Sequence, residues 1–185
     1  ETFALELAAQ RDWSAPDAVV IPIGHGTLLL GAYRGFSVLV EAGIVDEVPR
    51  LLAAQAKGYA PIAAEFDDGR PEEDEDEELG KIHVETNSTM HEEAETNEVA
   101  DAVHIREPVR KQQVVDAIRS TGGDAVAVPE NPVEIHLDEL HRAGFYVEPT
   151  CALGAAALEE FRNEGVLDAS DDVVVPLTGS GLKTL

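Results

Sequence analysis

The chain has 185 residues, 44% of them hydrophobic and 5% aromatic, which is enough for one domain with a real core, while no apolar run approaches the roughly 20 residues that span a bilayer. Its 37 acidic against 13 basic side chains give a formal net charge of −24, which excludes nucleic acid and anionic membrane as natural partners because every phosphate approached is repelled. The single Cys151 excludes an internal disulfide and a cysteine-only metal cage, and the N-terminus shows no basic, cleavable leader, so the expected compartment is the reducing cytoplasm.

Thr2 to Arg11 carries apolar residues at Phe3, Leu5, Leu7 and Ala8 and reads as a short helix. Asp12 to Pro16 is a turn, and Val19 to Ile23 is the first strand. A glycine-rich bend, Gly24-His25-Gly26-Thr27, leads into a helix from Leu28 to the region of Gly43, where glycine suits the left-handed position after a helix. Pro49 to Ala56 reads as a second short helix and Pro61 to Phe66 as a second strand. Both strands are continuous apolar runs, as expected of buried parallel strands.

Acidity is both spread out and concentrated. Asp67 to Asp101 holds 15 acidic residues against Arg70 and Lys81, and the whole chain has nine Arg and four Lys. This balance fits a salt-loaded cytoplasm in which counterions screen self-repulsion. Low hydrophobicity and like charge make 67–97 an expected solvated, partly disordered excursion, with a short extended piece at Lys81 to Val84. Beyond it, Arg110 to Ser120 is helical, Gly122-Gly123 breaks the helix, and Ala125 to Val128 is a third strand. Asn131 is the expected cap of a helix through Ala143, with Pro132 at its first position. Phe145 to Val147 is extended, Thr150 caps a helix from Cys151 to Asn163, and Asp172 to Leu177 is a fourth strand.

Four strands alternating with helices predict a three-layer α/β/α sandwich with a mostly parallel sheet, one domain over 1–185. In such sheets ligands bind beyond the carboxyl ends of the strands. The first strand delivers Gly24-His25-Gly26 to that edge and the fourth delivers Thr178-Gly179-Ser180-Gly181. A strand, a glycine bend and a helix start bring free amides and the positive helix end together, an anion site suited to a phosphorylated ligand. The spacing of Gly24, Gly26 and Gly31 departs from the dinucleotide fingerprint, and no Gly-Lys-Ser/Thr follows for a nucleoside triphosphate loop. A tight turn without a ligand stands as the alternative.

These residues carry a resemblance. IPIGHGTLLLGAYRGF, from Ile21 to Phe36, resembles the phosphate-cradling loop of the fold-type II pyridoxal phosphate enzymes, the tryptophan synthase β-subunit-like group. VADAVHIREPVR, VEPTCALGAAAL and VVVPLTGSGLKT are similar, in order, to that family's Ala-Glu-Gly-Ile segment, its Glu-Pro-Ser-Ala-Ala helix start and its terminal strand and loop. The ending Leu-Thr-Gly-x-Gly-Leu-Lys resembles the threonine synthase branch. The resemblance implies that backbone amides of Gly24, His25, Gly26, Thr27 and Leu28 hold the phosphate of pyridoxal 5'-phosphate. It further implies that Thr178 faces the pyridine nitrogen and that Glu148 lies near the ring; without the resemblance, Glu148 is a carboxylate before a helix.

Two departures qualify what is carried over. Asp101-Ala102 stand where the family has Glu-Gly. The family's Schiff-base lysine lies in a Ser-x-Lys-Asp segment upstream of the phosphate loop, whereas Lys57, Lys81, Lys111 and Lys183 occur in no such context, and a Ser, Gly and Asn-rich substrate-carboxylate loop is absent. The implied protein is therefore the C-terminal half of a homodimeric enzyme converting O-phosphohomoserine to threonine, with this half alone inactive. Threonine or serine dehydratase, a cysteine-synthase-like enzyme and a non-catalytic phosphate-binding module are the alternatives.

Other constellations are read as structural. His83, Glu85, His91, Glu92 and Glu93 lack metal-ligand spacing, so no metal is expected. Cys151, among small residues, is read as a packing thiol. His104 lacks an adjacent nucleophile, and His136 and His141 are expected at exposed helix positions.

Overall fold

The structure, a computed structural model, describes residues 1–67 and 99–184. The acidic excursion, including the extended piece expected at Lys81 to Val84, falls largely outside the described residues. The elements in order are α1 (Thr2–Gln10), β1 (Ala18–Pro22), α2 (Thr27–Glu41), β2 (Arg50–Ala56), α3 (Lys111–Ser120), β3 (Ala125–Val128), α4 (Glu130–Arg142), α5 (Pro149–Asn163) and β4 (Val173–Val174), with short 3-10 turns at Ala63–Glu65, Asp101–Val103 and Gly181–Thr184.

The four strands form one parallel sheet in the order β3-β2-β1-β4. β1 registers on β2 from Ala18 opposite Arg50 to Pro22 opposite Ala54, and β2 registers on β3 from Ala53 opposite Ala125 to Ala56 opposite Val128. Side chains alternate across the sheet as strand geometry requires. Val20, Leu52, Ala54 and Val126 pack with Val133 of α4 and with Leu153, Ala157 and Phe161 of α5. Val19, Ile21, Leu51, Ala53 and Ala125 face the other way, against Leu29 of α2 and Val114 and Ile118 of α3. Helices thus cover both faces, and the expected three-layer α/β/α sandwich is what the chain adopts. α2 lays Leu29, Ala32, Phe36 and Leu39 inward at helical spacing, and Phe36 and Leu39 meet Ala4 and Ala8 of α1. Gly43, at φ +68°, ends α2 as the sequence predicts.

The second strand is where the sequence reading fails. Arg50–Ala56, expected as helix, is the central strand β2, and Pro61 to Phe66, expected as strand, contains the 3-10 turn Ala63–Glu65. Leu and Ala favour helix locally, but every residue from Leu51 to Ala56 is buried between β1 and β3, and a strand satisfies both neighbours' ladders. Gln55 completes the arrangement: fully buried, its Oε1 accepts hydrogen bonds from the amides of Ile62 (2.7 Å) and Ala63 (3.1 Å), turning the chain after β2 instead of extending it.

Smaller corrections concern caps and strand length. α4 starts at Glu130 with Pro129 as its cap, so Asn131 and Pro132 lie inside its first turn, where missing donors cost nothing. α5 starts at Pro149 with Glu148 as cap, leaving Thr150 within the helix. β4 keeps only Val173–Val174 of the expected Asp172 to Leu177.

The N-terminal edge of the sheet is tied by ion pairs. Arg50, at the start of β2, donates to the carbonyl of Val166 (2.8 Å) and to Asp171 Oδ2 (2.6 Å), while Arg11 pairs with Asp172. The hydrogen bond from the Asp168 amide, and then that from Arg50, hold the Asp171 carboxyl below its ordinary 3.8. A carboxyl depressed in the folded state stabilises at pH above its unfolded value, and that stabilisation is lost as pH falls through the folded one. Asp171→Asn is therefore expected to lower stability at pH 7 and to flatten its decline below pH 4, as measured by urea unfolding across a pH series; parallel declines in the two proteins would refute the assignment.

Candidate functional site

β1 and β4 are the neighbouring strands at which the helical cover changes side: α2, which follows β1, lies on one face, and α5, which precedes β4, lies on the other. The crevice beyond such a switch point is where an open α/β sheet binds ligands. Here it holds a cavity of about 560 Å³, within the range of small-molecule sites.

One wall is the bend after β1. Gly26 is the cap of α2 at φ +76°, ψ +10°, a conformation that disfavours any side chain, and a Cβ there would stand 2.3 Å from Val114 Cγ2. Gly24 is confined in a different way: its Cβ would lie 3.2 Å from Ile105 Cγ1 and 3.3 Å from Val103 Cα, so the Asp101–Val103 turn and the residues after it press against the loop from behind. The first amide of α2 to find an acceptor is that of Leu30, 3.0 Å from the Gly26 carbonyl. The amides from Gly24 to Leu29 have no hydrogen-bond acceptor among the described residues. With the positive end of a 15-residue helix behind them, they have the donors and the dipole that suit a phosphate monoester.

The opposite wall comes from the start of α5 and the loop after β4. Glu148, Thr150 and Thr178 line the cavity. Val147 and Ser180 form an antiparallel bridge, the Glu148 amide donates to the Gly179 carbonyl (3.1 Å), and the Gly181 amide donates to the Tyr146 carbonyl (3.0 Å). A Cβ on Gly179 would lie 1.9 Å from Glu148 Cδ, so the carboxylate and this loop fit together only because residue 179 has no side chain. Glu1 and the first residues of α1, Thr2 and Phe3, line a third side. Among the described residues, no Lys or Arg lines the cavity.

All seven residues singled out in the sequence, Gly24, His25, Gly26, Thr27, Leu28, Glu148 and Thr178, border this one cavity. His25 is exposed at its rim. Thr150 escapes the sequence reading, which makes it a helix cap: it is buried and faces the cavity, and its place only two residues after Glu148 is the available signal. Ala102, at one of the positions that depart from the family's Glu-Gly, also lines the cavity, while its neighbour Asp101 is exposed.

The remaining candidates lie elsewhere. His83, Glu85, His91, Glu92 and Glu93 fall outside the described residues, and among the described residues no group of three or more potential ligands gathers to hold a metal. His104 stacks on Tyr59 with ring centroids 4.0 Å apart. His136 and His141 are not the exposed residues expected. His136 is half-buried between Glu139 (3.1 Å) and Glu159 (2.8 Å), and His141 is hydrogen-bonded to the Val147 carbonyl at 3.0 Å. Lys111 pairs with Glu65 at 2.6 Å and Lys57 lines a separate cavity, so neither reaches the cradle. No helix among the described residues is long and apolar enough to cross a membrane.

Residues 1–179 match the sequence profile of a family described as "Pyridoxal-phosphate dependent enzyme". Among curated proteins, the threonine synthases of Methanocaldococcus jannaschii and Methanosarcina acetivorans are each 32% identical over 184 residues, covering 99% of this chain and 41% of their own length. The chain thus spans about two fifths of these relatives. Among solved structures, a threonine deaminase from T.th. matches at a TM-score of 0.63 with 23% identity, over 97% of this chain and 49% of its own. A fungal L-serine ammonia-lyase from Rhizomucor miehei matches at 0.64 with 22% identity, over 97% and 50%. At such identities these two show a shared fold.

If the cradle holds phosphate through its amides, Gly26→Val, which adds a clash and a forbidden φ, is expected to weaken binding of inorganic phosphate about tenfold or more. Isothermal titration at matched folded fraction, checked by circular dichroism, measures this; phosphate binding equal to wild type would remove the bend from the site.

Proposed function

This chain belongs to the pyridoxal-phosphate-dependent enzyme family, and from that premise we propose that it forms the cofactor-holding part of a threonine synthase, an enzyme that converts O-phosphohomoserine and water to threonine and phosphate. The observation that carries the cofactor assignment is the row of amides from Gly24 to Leu28, which lack an acceptor among the described residues and belong to residues that line a cavity with Thr178 and Glu148. Support for the particular reaction comes from two threonine synthases that align with 99% of the chain.

The residues present fit the cofactor. Gly26 disfavours any side chain and Gly24 is tightly confined, so the backbone of the bend stays open to a phosphate, and the dipole of α2 favours its charge. Thr178, on the opposite wall, offers a neutral hydroxyl to the ring nitrogen, and a neutral partner leaves that nitrogen largely unprotonated where a carboxylate would protonate it. Glu148 places a carboxylate at the same wall, within reach of a polar group on the ring or substrate. Leu28 and Val103 add apolar surface to the cavity lining. When bound, the cofactor supplies an electron sink for the bonds around the substrate's α-carbon, on which elimination and β-addition depend.

The lysine that such enzymes use belongs, on this reading, to a part of the enzyme beyond this chain, and a second copy of the whole enzyme completes a homodimer. The alternatives of a dehydratase or a cysteine-synthase-like enzyme keep the same cradle and change the substrate.

Two measurements test the proposal. Pyridoxal 5'-phosphate added to the chain alone is expected to bind without the absorbance change that marks a covalent link to lysine; appearance of that change would place the lysine within these 185 residues. The complete protein is expected to release phosphate from O-phosphohomoserine and to leave L-threonine unchanged, and deamination of L-threonine as the faster reaction would overturn the threonine synthase assignment.

A further inference from the structure

Thr178 carries the ring end of the proposed site, yet β4 stops at Val174, so the sheet does not hold it. The loop is held by the segment from Tyr146 to Glu148, through the Val147–Ser180 bridge and backbone hydrogen bonds at Gly179 and Gly181, and by one side chain at the start of α5. Cys151, fully buried in the first turn of that helix, takes a hydrogen bond from the Gly179 amide on its Sγ (3.1 Å) and donates its S–H to the Gly179 carbonyl (3.4 Å). The same sulfur lies 4.0 Å from Thr178 Oγ1. One thiol therefore engages both polar groups of the residue that follows Thr178, and touches Thr178 itself.

A second observation shows that this turn faces a ligand. Thr150, the residue before Cys151, lines the cavity and is only 7% exposed, and its hydroxyl has no hydrogen-bond partner among the described residues. Thr150 Oγ1 is not among the buried unpartnered atoms, so in a residue that is otherwise buried and lines the cavity the hydroxyl itself is accessible, free to hydrogen-bond what the cavity holds. The first turn of α5 thus does two things at once: Thr150 presents a hydroxyl to the cavity, and Cys151 secures the loop opposite.

We infer that Cys151 is a positioning residue for Thr178: its thiol pins the Gly179 peptide, and this fixes the adjacent hydroxyl in the wall of the cavity. The inference rests on the assignment of the cavity to pyridoxal 5'-phosphate and goes beyond the packing role that small neighbours imply for this cysteine. The chemistry suits sulfur. Its long bond to carbon and large radius let a side chain on α5 reach a backbone amide and carbonyl together, and alanine would leave the Gly179 N–H buried without an acceptor.

The test compares wild type, Cys151→Ala, Thr178→Ala and the double variant, each titrated with pyridoxal 5'-phosphate and separately with inorganic phosphate, alongside amide hydrogen exchange at Gly179. Cys151→Ala is expected to weaken pyridoxal phosphate about fivefold, the scale of one modest hydrogen bond, and to leave inorganic phosphate unchanged, because phosphate is held at the opposite wall. Once Thr178 is alanine, adding Cys151→Ala is expected to cost nothing further, and Gly179 exchange is expected to rise in both variants that lack the thiol. Cys151→Ser, whose hydroxyl retains a donor and an acceptor at shorter reach, is expected to recover part of the loss, and it carries the comparison if the alanine variant does not fold. Equal loss for both ligands, losses that multiply in the double variant, or wild-type affinity in Cys151→Ala would overturn the positioning role. If wild type binds the two ligands alike, the cofactor reading falls, and unchanged Gly179 exchange without the thiol would overturn the pinning of the loop independently.

Discussion

A row of backbone amides without acceptors, from Gly24 to Leu29, is the constraint from which the rest of this structure follows. Peptide N–H groups away from water are costly unless paired, and any helix leaves its first amides unpaired. Here they are not capped by a side chain. β1, fully buried from Ala18 to Ile21, brings them to the carboxyl edge of the sheet. Val114 and Val103 press on the two glycines from behind, and the loop after β4 faces them from across the crevice.

The electrostatics of the cavity differ in kind from those of the molecule. A chain of net charge −24 repels anions at long range, and among the described residues no Lys or Arg lines the cavity to offset this. Attraction for the proposed phosphate would therefore come from oriented dipoles at short range, the amides and the axis of α2. Such binding depends on geometry more than on ionic strength, because closely held, partly buried dipoles are screened far less than separated surface charges. It also makes steric exclusion by the glycines decisive: a side chain at Gly26 or Gly179 would displace the donors or the carboxylate, and among the described residues no lysine or arginine in the cavity wall compensates.

The opposite wall is built by contact between segments far apart in sequence. Tyr146 to Cys151 and Thr178 to Gly181 are joined by backbone hydrogen bonds, one bridge and a thiol. Because β4 is only two residues long, these links take the place of a sheet ladder in fixing the loop. The N-terminal edge of the sheet, held by Arg50 and Arg11, lies at the other ends of the strands. Charge pairing thus supports the fold at one edge, while polar backbone contacts shape the cavity at the other.

The sequence by itself determined the parts whose signal is local. The glycine bend, the helix after it, the glycine that ends that helix and the apolar β1 are all legible, because a positive φ, a helical stripe and a buried strand each leave a mark within a few residues. Combined with the rule that parallel sheets bind at their carboxyl edge, these marks suffice to bring Gly24 and Thr178 to one crevice. Only the tertiary structure decided what Arg50–Ala56 becomes, since a Leu and Ala run suits a helix until two neighbouring strands claim its backbone, and Gln55 then turns the chain where a strand is expected. Tertiary contact also decided that Thr150 is a cavity residue and that His136 and His141 are partly buried. Burial of a polar side chain depends on what arrives from elsewhere in the chain, and spacing along one helix carries no record of it.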